Sequence, residues 1–362
     1  MNTDLQTSSL EELHSLAAHG DIEAQYDLGL MYDLGISVQQ DDTTAAEWFR
    51  QAAEQGHAQA QYNLGNMYFH GRGVPLDEAQ GVIWLRKAAE QGHSYAQYNL
   101  GSMYHHGRHV PQNNELAAQW FTRAAQQNHA KAQNSLGMMY SKGEGVPHSS
   151  TQAATWFLKA AQQNFLSAQV HMGFLYANGQ GVPKDNDQAA AWYARAAEQG
   201  DARAQNNLAV RYAKGQGVPK NDAQAVFWYH KAAEQGHPRA QTNLGLRYAS
   251  GEGVQRDLAT AIMWFRKAAE QGNPEAQCNL GVFYAKGQGV PKDEEEAALW
   301  YRRAANQGYA KAQYNLGGMY SKGRGVPQSD EQAVIWLRHA AEQGHGMADK
   351  VLQALLRQLH HR

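Results

Sequence analysis

Residues able to do chemistry gather in two stretches of this chain: His70, His105, His106 and His109 in the first half, Arg203, Arg211, Lys214, Arg239 and Arg247 in the second. Imidazole pairs can hold a transition metal. A guanidinium is a planar fork suited to a carboxylate or phosphate. With Asn207 and Asn243 it would form a clamp for an anion or an acidic peptide. The one thiol, Cys278, has no disulfide partner in the chain, and no motif places a base beside it.

These residues recur at fixed spacing. All nine tryptophans, Trp48 to Trp336, lie 36 residues apart, and Tyr32 to Tyr320 and Val38 to Val326 form two further unbroken columns. Such a period marks a repeat array. Nine units without insertion cover residues 22–345. His70 and His106 share one column, Arg203 and Arg239 a second, and Arg211 and Arg247 a third in which most units carry Met. A fourth column holds Asn63, Asn99, Asn207, Asn243, Asn279 and Asn315, with Asp27, Ser135 and His171 in the other units.

Each unit reads as two helices. In the second unit, Ala60, Leu64, Met67 and Tyr68 fall on one helical stripe. Gly71 and Gly73 break it. Asp77 opens the next helix, from a column of Asp, Asn and Ser whose side chains accept from orphan backbone N–H groups. That helix carries Trp84 and the pair Ala88-Ala89. It ends at Gly92, where a left-handed residue is needed; Asn128 and Asn164 replace this glycine in two units. Small residues at Gly65 and three before each Trp let the helix axes approach closely. A two-helix unit cannot bury its own apolar face, so stability comes from stacking on neighbours. Residues 1–21 and 346–362 read as capping helices, the first with a capping box at Ser9 and Glu12, the second with Met347, Val351, Leu355 and Leu359 on one side. The expected fold is all-α, a single solenoid of helix-turn-helix repeats over 22–345.

The pattern resembles a known family. A-x-x-x-L-G-x-x-Y followed by an Ala-rich second helix is similar to the tetratricopeptide class. The GxGVPxD loop and the W-[FYL]-x-x-AAEQGH ending resemble the Sel-one-like repeat (SLR) family within it, on Gly71, Gly73, Val74, Pro75, Asp77, Trp84, Ala88, Ala89, Gln91, Gly92 and their equivalents. The first unit departs at Ser37 and Gln39, and Gln255 replaces a proline in the seventh. The resemblance implies a right-handed α/α superhelical solenoid that serves as an adaptor or assembly platform, its concave groove lined by the first helices. It also offers a second reading, the binding or hydrolysis of a penicillin-like small ligand. The relatives that do so carry paired cysteines, which this chain lacks.

On that reading the partner-binding face comprises Tyr62, Asn63, Asn66, His70, Tyr98, Asn99 and His106 in units two and three, and Arg203, Asn207, Arg211, Lys214, Arg239, Asn243 and Arg247 in units six and seven. At about 100° per residue, Arg203, Asn206, Asn207, Val210 and Lys214 face away from Leu208 and Tyr212. Each feature also has a plainer explanation. The asparagine column would link repeats by hydrogen bonds, and its presence in so many units favours that for most members. The arginines would equally suit a solvated charged face, with Glu275 as an internal partner. Like positions on packed helices lie about 10 Å apart, too far for two histidines to share an ion. The histidines therefore read, with Tyr62, Tyr98 and Phe69, as an amphipathic contact surface. His57 and His93 sit at turns and read as helix caps.

Composition fits binding better than catalysis. The chain has 362 residues, 43% of them hydrophobic, which excludes a mostly disordered protein. No apolar run approaches a membrane span. The net charge of −2 divides into −7 over residues 1–181 and +5 over 182–362. The second half is thus expected to take an acidic partner, and the balance is not that of a general nucleic-acid binder. A single cysteine suits a reducing compartment. The N-terminal stretch lacks the basic start and long apolar centre of a secretory signal. The expectation is cytoplasmic, with export left open. GxGVP joins helix to helix rather than strand to helix, so it is no phosphate loop. The chain is expected to be a non-enzymatic interaction protein without cofactor or metal, with a protein or peptide partner and scope for self-association.

Overall fold

Local signals set each helix boundary. Asp77 is extended and accepts the Gln80 N–H at 3.0 Å, so a helix starts at Glu78. An Asp, Asn or Ser caps the second helix in the same way in every repeat. The preceding first helix ends at Gly71, whose φ of 63° lets its N–H return to the Met67 carbonyl. Asn128 and Asn164, at φ 62° and 64°, make the left-handed turn that glycine makes elsewhere.

The computed structural model describes residues 3–360, all of it helix and short connection, with no strand among the described residues. Contacts group the chain into two compact units, residues 1–184 and 185–362. The first holds α1 (Thr3–Ala18), α2 (Ile22–Leu34), α3 (Asp42–Glu54), α4 (Ala58–His70), α5 (Glu78–Glu90), α6 (Ser94–His106), α7 (Asn114–Gln126), α8 (Ala130–Lys142), α9 (Ser150–Gln162) and α10 (Leu166–Asn178). The second holds α11 (Asn186–Glu198), α12 (Ala202–Lys214), α13 (Asp222–Glu234), α14 (Pro238–Ser250), α15 (Leu258–Glu270), α16 (Pro274–Lys286), α17 (Glu294–Asn306), α18 (Ala310–Lys322), α19 (Asp330–Glu342) and α20 (Gly346–His360). Within each unit a helix packs chiefly on its sequence neighbours. The expected capping box is not a helix start: α1 begins at Thr3 and runs through Ser9. No glycine or proline stands between them to break the helix.

The core is built from the repeated columns. Around α3 and α4, Ala45, Phe49, Ala52, Ala60, Leu64 and Met67 pack with Trp84; around α15 and α16, Ala261, Phe265, Leu280 and Phe283 pack with Trp300. Gly65 shows why one column is small. A Cβ there would lie 3.1 Å from the Gly81 carbonyl oxygen and 3.2 Å from the Leu85 nitrogen, so α4 and α5 touch through backbone. Seven Trp rings, Trp84 to Trp300, carry a Lys or Arg one turn on: Lys87 lies 4.1 Å from the Trp84 ring centroid and Arg303 4.4 Å from that of Trp300.

One polar column lies inside this core. Gln61, 4% exposed, donates to the Ala53 carbonyl at 3.0 Å and accepts from Gln91 Nε2 at 2.7 Å. A single amide therefore ties α3, α4 and α5. Gln97, Gln133, Gln205, Gln241, Gln277 and Gln313 repeat both bonds. A buried amide is stable there because donor and acceptor are both satisfied.

Candidate functional site

The expected groove residues of the first compact unit sit on α4 and α6, those of the second on α12 and α14. Tyr62 and Tyr98 are half-buried and pack on the histidine that opens the next first helix: Tyr62 on His93 with ring centroids 4.7 Å apart, Tyr98 on His129 at 4.9 Å. Those histidines cap: His57 Nδ1 accepts the Ala60 N–H at 3.0 Å, and His93 Nδ1 the Ala96 N–H at 3.1 Å. The opposite nitrogen, Nε2, of His93 bonds Gln59 Oε1 at 2.6 Å. Burial above all, and then the His129 charge, pushes the His93 pKa below the usual imidazole value, so the ring stays a neutral acceptor. The asparagines reach the preceding repeat. Asn99 Nδ2 lies 3.5 Å from Tyr62 OH, Asn243 Nδ2 3.2 Å from Asn206 Oδ1, and Asn315 Nδ2 3.8 Å from Cys278 Sγ. Asn63 accepts from Gln59 Nε2 at 3.4 Å, and Asn207 from Asn206 Nδ2 at 3.4 Å.

The four histidines do not converge. His70 and His106 are exposed and bond the Asn66 and Ser102 carbonyls of their own helices at 2.7 and 2.9 Å. His105 bonds Asn114 Oδ1 at 3.1 Å, and His109, held at a φ of 60°, pairs with Glu78 at 2.7 Å. Among the described residues no group of three or more His, Cys, Asp or Glu could hold a metal.

The arginines separate into two kinds. Arg211 is 9% exposed and donates to Asn186 Oδ1 at 2.8 Å and Gln216 Oε1 at 3.4 Å. Arg247 donates to Asp222 Oδ1 at 3.1 Å and to Glu252. Both reach the first residue of the preceding helix, and neither is an open anion clamp. Asp222 and Glu252 take the internal role expected of Glu275. Arg203, Lys214 and Arg239 remain exposed, with Arg203 3.2 Å from Asp201. Cys278 is fully buried, and burial pushes its thiol up to about 11, which leaves no thiolate to act as a nucleophile.

The profile of the Sel1 repeat matches residues 22–57, 58–93, 94–129, 130–165, 166–201, 202–237, 238–273, 274–309 and 310–345. The chain belongs to the Sel1-repeat family. It is similar to a protective antigen of uropathogenic Escherichia coli strains that displays an SLR fold: 37% identity over 95% of this chain and 81% of that one, with a TM-score of 0.76. A Sel1 repeat protein from Oxalobacter formigenes is also 37% identical, over 85% of this chain and 89% of that one, with a TM-score of 0.68. A comparison with curated proteins returned no match. No described helix is long and apolar enough to cross a membrane.

The Sel1 register brings out what single residues do not. Between the third and fourth Sel1 repeats a pocket of about 220 Å³ is lined by Tyr98, Ser102, His105, His106, Asn134 and Glu144, among others. Asn134 Oδ1 is buried there without a hydrogen-bond partner among the described residues. A second pocket of about 280 Å³ lies at the same register between the eighth and ninth, lined by Glu294, Tyr301, Asn315, Gly318, Met319 and Lys322, among others. Sequence reasoning selected Tyr98 and His106 but missed the second pocket altogether. Its one signal was a glycine, Gly318, at a helix-interior position where the preceding Sel1 repeats carry larger residues.

Proposed function

We propose that this protein is a non-catalytic scaffold that binds a protein segment along the surface of its first helices. The observation that carries this reading is the recurrence of a pocket at one register, once beside Tyr98 and His106 and once beside Tyr301 and Gly318. A repeat array offers a partner the same foothold at intervals and varies the side chains that line it. Half-buried Asn63 and Asn99 can add a bond to a peptide backbone, while exposed Arg203, Lys214 and Arg239 favour an acidic segment on the second unit. This reading makes the chain a cytoplasmic adaptor. The penicillin-like alternative has no support: its relatives' paired cysteines are missing, and the single Cys278 is buried.

The test is photo-crosslinking in native extract, with the reactive residue at Asn66 or Ser102 on the first helices, or at Gln119 on a second helix. One partner protein captured from the first two positions and not from the third is the expected result. Equal capture at all three, or none at any, counts against the groove.

A further inference from the structure

The pocket register is filled by the chain itself in one place and open in another. The seventh repeat supplies Arg247, which reaches Asp222 Oδ1 at 3.1 Å and also Glu252. Tyr229 stands beside it: burial raises the phenol's pKa, and the nearby Arg247 charge opposes that rise. Lys220 sits 3.4 Å from the same Asp222. Two repeats later every participant has a counterpart: Tyr301 for Tyr229, Glu294 for Asp222, Lys292 for Lys220. The inserted side chain does not. Met319 replaces Arg247, Arg324 replaces Glu252, Lys322 replaces Ser250 and Gly318 replaces Leu246. A pocket of about 280 Å³ stands where the guanidinium would be.

Three observations show that this opening is more than loose packing. First, Gly318 has no packing reason. A Cβ there would meet nothing within 4 Å, whereas one at Gly65 or Gly317 would collide. A helix-interior glycine is less stable than alanine, and here its visible effect is to leave the pocket mouth open. Second, Tyr301 is only 5% exposed, lines the pocket, and its hydroxyl has no hydrogen-bond partner among the described residues. Burial raises its pKa, so it remains a protonated donor. Third, the sign of the lining is reversed. Lys292 Nζ holds Glu294 at 2.8 Å and keeps its carboxyl below the usual range. Lys322 and Arg324 form no ion pair within 4 Å among the described residues, and Arg324 feels Glu294 only from beyond that distance. Where the seventh repeat surrounds a cation with acceptors, the space beside the ninth is faced by Lys322 and Arg324 and by one carboxylate, Glu294, which Lys292 already engages.

We propose that this pocket takes a carboxylate carried on a short apolar stem, the apolar part against the Tyr301 ring, Met319 and Val351 and the carboxylate toward Lys322, Arg324 and the Tyr301 hydroxyl. On the scaffold reading, the stem and carboxylate belong to the bound protein segment.

The minimal probe is 4-methylpentanoate, followed by the methyl NMR signals of Met319 and Val351. Two further arms use its neutral amide and 3-methylbutylguanidine, a guanidinium on a similar apolar stem, with agmatine, whose four-carbon stem ends in an amine, as a second cation. A capped acidic peptide with leucine next to glutamate separates a peptide source from a free small molecule. Saturable shifts with the carboxylate, at least tenfold weaker with the amide and absent with either cation, are expected. Lys322→Gln and Arg324→Gln should each weaken binding several-fold, and Gly318→Leu should abolish it. Leucine is a better helix former than glycine, so a cooperative melt of Gly318→Leu at or above the parent's temperature certifies the fold. Equal binding of carboxylate and amide, tighter binding of either cation, or undiminished binding by Gly318→Leu overturns the proposal. Carboxylate binding without peptide binding keeps the pocket and removes the protein-segment source. Crosslinking at Asn66 and Ser102 reports on other repeats, so the groove reading and this pocket can fail separately.

Discussion

Gln91 donates its amide to Gln61 Oε1 at 2.7 Å, and Gln61 passes the connection on to the Ala53 carbonyl at 3.0 Å. The pair joins the last turns of α3 and α5 through the first turn of α4, with Gln61 buried and Gln91 at the surface. Replacing Gln61 by leucine keeps the volume and removes both bonds. The Ala53 carbonyl would keep the Gly56 N–H at 3.1 Å but lose its second donor, and the exposed Gln91 amide would turn to water, so a loss of about 1 kcal/mol is expected. Urea unfolding followed by circular dichroism measures it; a loss under about 0.5 kcal/mol would show that water or a neighbour replaces the tie.

Stability should fall with acid through the histidine caps. Nδ1 of His93, His129 and His237 accepts a backbone N–H, and burial lowers the pKa of all three in the fold. The unfolded chain then binds more protons than the folded one between the folded values and about 6.5. Their stabilisation is complete above that upper limit and is lost as pH falls below it. Urea midpoints at pH 7.5 and 5.0 should differ, and His93→Asn should shrink the difference, because Asn273 already caps the same position at 2.9 Å.

Arg247→Met tests the self-filled register. Methionine is the ordinary residue of that column, so the helix tolerates it, but Asp222 loses a partner at 3.1 Å. A destabilisation of about 1–3 kcal/mol is expected, since the pair is largely shielded from water. The companion change Asp222→Asn should remove part of the same energy, and the double variant should cost less than the sum. Additive losses would show that the two side chains do not act together.

Two glycines on successive faces should respond with opposite sign. Gly137→Ala places a methyl 2.8 Å from the buried Phe157 ring and should cost about 1–3 kcal/mol. Gly318→Ala meets nothing within 4 Å and should gain up to about 1 kcal/mol of helix propensity. Thermal melts of the two variants against the parent decide both.

Much of the fold was legible because it rests on local signals. The Asp77 cap, the left-handed Asn128 and Asn164 and the small Gly65 each declare themselves by residue type at a fixed place. Start signals in the flanks are less decisive: Ser9 and Glu12 spell a capping box, yet α1 passes through them because nothing upstream breaks it. The site was legible only in part. Periodicity told which positions share a face, and so found Tyr98 and His106. It could not tell how far a long side chain reaches. Arg211 and Arg247 turn back to Asn186 and Asp222 on the preceding helix, a contact that depends on the interhelical angle. The glutamine tie was missed for the opposite reason. Its regularity resembled background, and a polar residue in a soluble chain is ordinarily expected outside.

The same tie bears on how such a chain changes over generations. At seven of the eight junctions between repeats, one repeat offers an alanine carbonyl to the glutamine of its successor, whose acceptor is closed by a glutamine of that same successor, as Ala53, Gln61 and Gln91 do. The junction chemistry is therefore indifferent to which copy stands on either side. Loss or duplication of one 36-residue segment in frame leaves no amide orphaned. Repeat number can drift by recombination while the fold survives, and selection is left to act on the lining of individual pockets.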